Sequence, residues 1–130
     1  MKILLIEDVR VERTILKHWL EELDCEVIEA SNGYEGLDLY HDHQPDLVVT
    51  DIIMPQKDGV QMMIELQREF KGVKIFAISG AGEKEPGEYL TLVKDIGVLR
   101  TFVKPIDKRE LLDAIVEYFP EAKRKSGTAA

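Results

Sequence analysis

Polar side chains stand where the apolar runs of this 130-residue chain stop. Glu7 and Asp8 follow KILLI, Asp51 follows DLVVT, Ser79 closes VKIFAIS, and Lys104 follows LRTFV with Pro105 behind it. Gathered on one rim, these residues would supply three carboxylates, a hydroxyl and an ammonium. Two carboxylates about 4 Å apart repel by about 4 kcal/mol at an effective dielectric of about 20, so three together require a cation or raised pKa values. Hard oxygen ligands suit Mg2+ or Mn2+, and such an ion would keep positions open for water and a phosphoryl oxygen. Taken singly, each residue has a plainer reading. Glu7 and Asp8 are acids that would suit a helix N-terminus, Asp51 and Ser79 are ordinary turn residues, and Lys104 is an ordinary solvated one. Their conjunction at successive strand ends favours one phosphoryl-binding site.

The elements that must position these residues alternate along the chain. KILLI (2–6), CEVIEA (25–30), DLVVT (46–50), VKIFAIS (73–79) and LRTFV (99–103) read as strands. Between them apolar residues recur at threes and fours: Val11, Ile15, Leu16, Trp19, Leu20 and Leu23; Leu37 with Tyr40; Val60 with Met63, Ile64 and Leu66; Tyr89 with Leu92, Val93 and Ile96. A fifth helix, KRELLDAIVEYF, is expected to start from an Asp107 N-cap and to close near Phe119. This alternation predicts an α/β fold, a mostly parallel sheet doubly wound by helices on both faces, with its site at the carboxyl ends of the strands. KILLI and DLVVT suit central strands, whereas CEVIEA, interrupted by Glu26 and Glu29, suits an edge. One domain over residues 1–120 is expected, with 121–130 a frayed polar tail.

Composition removes several function classes. A formal net charge of -8 disfavours direct DNA or RNA binding, which rests on clustered Lys and Arg. No apolar run approaches the roughly 20 residues of a membrane span, and no basic segment followed by an apolar stretch opens the chain, so a cytoplasmic protein is expected. The single cysteine, Cys25, reads as a half-buried packing residue, and His18, His41 and His43 read as surface residues.

IEDVR, VVTDIIMPQKDG, IFAISG and FVKPI, in that order, resemble the acidic pair, phosphoacceptor loop, hydroxyl strand end and Lys-Pro of the receiver domain of two-component response regulators. The resemblance covers residues 2–119. It implies a flavodoxin-like (βα)5 fold with a five-stranded parallel sheet in the order 2-1-3-4-5. It also implies that Asp51 takes a phosphoryl group from a phosphohistidine. Glu7, Asp8, Asp51 and the backbone carbonyl of Ile53 would arrange Mg2+ (or Mn2+), and Ser79 and Lys104 would hold phosphoryl oxygens. Pro105 would follow a cis peptide, and Asp58-Gly59 would open the third helix. Such a chain is not an enzyme toward outside substrates; it catalyses only its own phosphorylation and a slow dephosphorylation.

The implied partners are a sensor histidine kinase or histidine phosphotransfer protein, docking near Arg10, Thr14, Ile15 and the loop after Pro105, and a downstream protein reader on the face from about Glu88 to Glu117. Arg100 and Asp113 match poorly the paired charges through which one large subfamily dimerises, so a monomer is expected. Two departures from the family pattern stand out. Thr101 occupies the place of the usual switching aromatic, while Phe102, one residue on, should face the core. Ile53 and Ala81 stand where other members carry groups that orient the hydrolytic water, which predicts slow self-dephosphorylation. The alternatives are a receiver module excised from a larger hybrid kinase or transcription regulator, and a flavodoxin-like cofactor protein. The latter would want a Ser/Thr/Gly-rich phosphate loop where IEDVRVER stands.

Overall fold

Each of the five apolar runs forms a strand in the computed structural model, which describes residues 1–52, 59–80 and 94–125. These are β1 (Lys2–Ile6), β2 (Glu26–Ala30), β3 (Leu47–Asp51), β4 (Ile75–Ser79) and β5 (Arg100–Val103). They pair in parallel in the order β2-β1-β3-β4-β5. Every residue of β3 and β4 is buried, whereas β2 at the edge buries only Ala30 completely. That contrast follows from a sheet covered on both faces, in which only interior strands can be apolar throughout.

Four helices are described in full: α1 (Arg10–Leu20), α2 (Gly33–His43), α3 (Gly59–Glu69) and α4 (Lys108–Tyr118). Residues 94–96 are also helical, while Tyr89, Leu92 and Val93 of the predicted fourth stripe lie outside the described residues. Local chemistry sets the helix starts. Asn32 accepts the Glu35 amide while Glu35 reaches back to accept from Ser31, a capping-box-like pair shifted by one residue, and Asp107 caps α4 by accepting the Arg109 and Glu110 amides.

Alternate strand residues feed two cores. Ile3, Leu5, Val49, Phe76, Ile78 and Phe102 pack with Leu16 and Leu20 of α1 and with Leu111, Leu112 and Ile115 of α4. Leu4, Ile6, Val48, Ile75 and Ala77 pack on the other face with Tyr40 of α2 and Met62, Met63 and Leu66 of α3. Phe102 is 3% exposed against Phe76, as its register predicts. Cys25 is half-buried, and His18, His41 and His43 are exposed.

Two expectations change. The apolar stripe of α1 divides: Leu16 and Leu20 face the core, but Val11 and Ile15 are 68% and 45% exposed. Eleven helical residues offer more apolar positions than one face can bury, so the i, i+4 pair Val11 and Ile15 turns outward. The start of the expected tail is also docked. Pro120–Ala122 forms a 3-10 turn with Ala122 fully buried, and Arg124 bridges to Leu23 in antiparallel fashion. Glu22 binds both Lys108 and Arg124, the latter at 3.2 Å, and this pairing is what the polar composition of 121–125 concealed.

Gly59 links α3 to the end of β3. Its amide donates to the Ile52 carbonyl at 2.7 Å, and a Cβ there would fall onto the backbone carbonyls of Asp51 and Ile52. Backbone cannot yield as a flexible side chain does, so Gly59→Ala is expected to cost about 1 to 3 kcal/mol in urea unfolding. A change within a few tenths of a kcal/mol would show that the approach is not a constraint.

Candidate functional site

Parallel pairing carries four strand ends to one rim. Ile6 of β1 lies opposite Thr50 of β3, so Glu7 and Asp51 are the next residues on adjacent strands. The ladder runs on past the strands: the Glu7 amide donates to Ala30, Ile52 to Ile78 and Lys104 to Ser79, at 3.0, 2.9 and 2.9 Å. The sequence-predicted residues Glu7, Asp8, Asp51, Ser79 and Lys104 are thereby gathered. Glu7 and Asp51 are 1% and 5% exposed, Asp8 is half-buried, and one carboxylate oxygen from each lies within 4.8 Å of the others.

The acidic pair does more than suit a helix start, although Glu7 does accept an amide there. α1 begins after Val9, which makes no side-chain cap; Glu7 accepts the Val9 amide at 3.1 Å while its other oxygen accepts from Lys104 at 3.1 Å. Arg13 donates to the Glu7 carbonyl at 2.8 Å, and this tethers α1 to the rim. Lys104 Nζ also donates to Asp51 at 2.8 Å and to Glu12 at 2.9 Å. Glu12 was not expected here. A lone acid between Val11 and Arg13 on a helix reads as solvated, and only the helix phase relative to Lys104 brings it to the rim.

Electrostatics follow from this crowding. Burial pushes the Glu7 carboxyl up from its ordinary 4.5 to about 7; Asp51 adds to the rise, and the Val9 amide and Lys104 oppose it. Burial pulls the Lys104 ammonium down, but hydrogen bonds to Asp51, Glu12 and Glu7 outweigh it and hold the pKa above the ordinary lysine range. One ammonium therefore faces several carboxylates. The all-oxygen donor set and its excess negative charge fit a small hard divalent cation such as Mg2+ or Mn2+. Ser79 Oγ is fully buried with no hydrogen-bond partner among the described residues, which fits a hydroxyl waiting for an added oxygen.

The Lys104–Pro105 peptide is cis, and Thr101 is half-buried opposite Ala77, on the other face from Phe102. Ile53, Asp58 and Ala81 lie outside the described residues.

This doubly wound parallel fold with an acidic rim and a lysine opposite is that of a signalling receiver, and the chain belongs to the response regulator receiver domain family, which it matches over residues 3–116. Among its relatives is the chemotaxis protein CheY of Listeria monocytogenes, 30% identical over 88% of this chain and 95% of that one. The probable C4-dicarboxylate response regulator DctR of Bacillus subtilis is also 30% identical, over 90% of this chain but only 51% of its own length, so the chain spans about half of that relative. A response regulator receiver domain protein from Clostridium thermocellum superposes with a TM-score of 0.83 at 26% identity, covering 92% of this chain and 94% of that one. The chain is thus a response regulator receiver domain of two-component signalling, a switch that works by phosphorylation.

Proposed function

We propose that Asp51 is the phosphoacceptor and that phosphohistidine on a partner protein is the donor. The observation that carries this reading is Lys104 Nζ hydrogen-bonded to Asp51 and Glu7, beside three carboxylates whose oxygens lie within 4.8 Å. An Asp51 carboxylate oxygen attacks phosphorus, the P–N bond breaks, and its electron pair returns to the imidazole, which takes up a proton. Lys104 then donates to one phosphoryl oxygen and Ser79 Oγ to another, after the strand end adjusts to the new group. Glu7, Asp8 and Asp51 would hold Mg2+ (or Mn2+), with the Ile53 carbonyl as a further proposed ligand. When bound, the ion would neutralise charge on the phosphoryl oxygens.

The proposed donor is a sensor histidine kinase or histidine phosphotransfer protein. A groove of about 250 Å³ lined by Ile15, Leu16, Trp19, Pro105 and Ile106 opens beside Lys104, and exposed Ile15 gives it an apolar side. Readout is proposed on the face carrying Val103 and Tyr118, 50% and 41% exposed, where Arg100 is already paired with Glu117 at 3.7 Å. That internal pairing supports a monomer. No described helix is long and apolar enough to cross a membrane, which is compatible with work in the cytoplasm. The half-length match to DctR supports a second reading, a receiver module of a longer regulator.

Metal removal tests the site. With acetyl phosphate and Mg2+, intact mass should show one phosphoryl adduct, and EDTA should abolish it. An adduct of equal yield in EDTA would contradict the metal's role.

A further inference from the structure

We propose that Glu12 is a positioning residue that restrains Lys104 and slows phosphoryl uptake until it lets go. The inference rests on the reading of Asp51 as phosphoacceptor and goes beyond it. An ammonium has three hydrogens, and Lys104 Nζ directs hydrogen bonds to three carboxylates: Asp51 at 2.8 Å, Glu12 at 2.9 Å and Glu7 at 3.1 Å. A phosphoryl oxygen arriving on Asp51 needs one of those hydrogens, so one carboxylate must give way.

Glu7 is the poorest candidate to leave. It is 1% exposed, accepts the Val9 amide as well, and cannot reach water elsewhere without moving β1. Asp51 is the reacting group itself. Glu12 keeps 43% of its side-chain surface in solvent and sits on the second residue after the start of α1, free to rotate outward at little cost. Glu12 lines the groove beside Lys104 together with Ile15 and Trp19, so whatever occupies that groove meets it directly.

Glu12→Gln keeps size and exposure while weakening the hold on Lys104. Phosphoryl uptake from phosphoramidate in Mg2+, followed by intact mass, should rise about two- to fivefold, the range of an exposed ion pair, and the gain should shrink in high salt. The Lys104→Met background separates positioning from charge, because the gain should vanish there. Unchanged or slower uptake in Glu12→Gln, or a gain that persists in Lys104→Met, would overturn the inference. Absence of any adduct on the wild-type chain would instead overturn the reading of Asp51, and this inference with it.

Discussion

Lys104→Met is expected to slow phosphoryl uptake from acetyl phosphate by about 100- to 1,000-fold, the loss found when one preorganised donor to a developing charge is removed. The lysine is 22% exposed and bridges β5 to β1 and β3 through Glu7 and Asp51, so its donor is aimed before the donor molecule arrives. Methionine preserves the packing of the stem but leaves Glu7, Asp51 and Glu12 facing one another. The fold should survive, because Glu7 already holds its proton up to about pH 7 and can take up more of the charge burden by protonation. The rate of adduct growth by intact mass checks the effect. A loss smaller than about tenfold would remove Lys104 from the reaction.

Glu7→Gln is expected to stabilise the metal-free protein at pH 8 by about 3 kcal/mol, the worth of a shift from 4.5 to about 7 in which the opposing pull of Lys104 is already included. The sign follows from proton binding. A carboxyl whose folded pKa is raised favours the folded state fully below pH 4.5, and that contribution is lost progressively as pH rises to about 7. Wild-type stability should therefore fall across this window in EDTA, and the Gln variant should not show this component. Mg2+ should stabilise wild type more than the variant, since a ligand has gone. Urea unfolding at several pH values decides it, and a variant less stable than wild type at pH 8 would contradict the account.

Much of the site was legible because each residue ends an apolar run. In a parallel sheet every such end points to the same rim, so Glu7, Asp8, Asp51, Ser79 and Lys104 could be placed together without knowing any helix orientation. The strand order was implied by the family resemblance, and burial of β3 and β4 agrees with their unbroken apolar runs. Glu12 was not legible, because its role depends on the rotation of α1 about its axis and on where one lysine tip ends. The split stripe of α1 escaped for a related reason: periodicity at threes and fours marks apolar positions without saying how wide a face the sheet can cover. Residues 120–125 escaped because they dock through Glu22, Lys108 and Arg124, charges that in sequence look solvated.

The central claim is that the carboxylate ending β3 is the reaction centre. Wild type and Asp51→Asn, incubated side by side with acetyl phosphate and Mg2+ and read by intact mass, should differ in one respect: a single phosphoryl adduct on wild type and none on the variant. An adduct of equal yield on Asp51→Asn, or none on either, would contradict it.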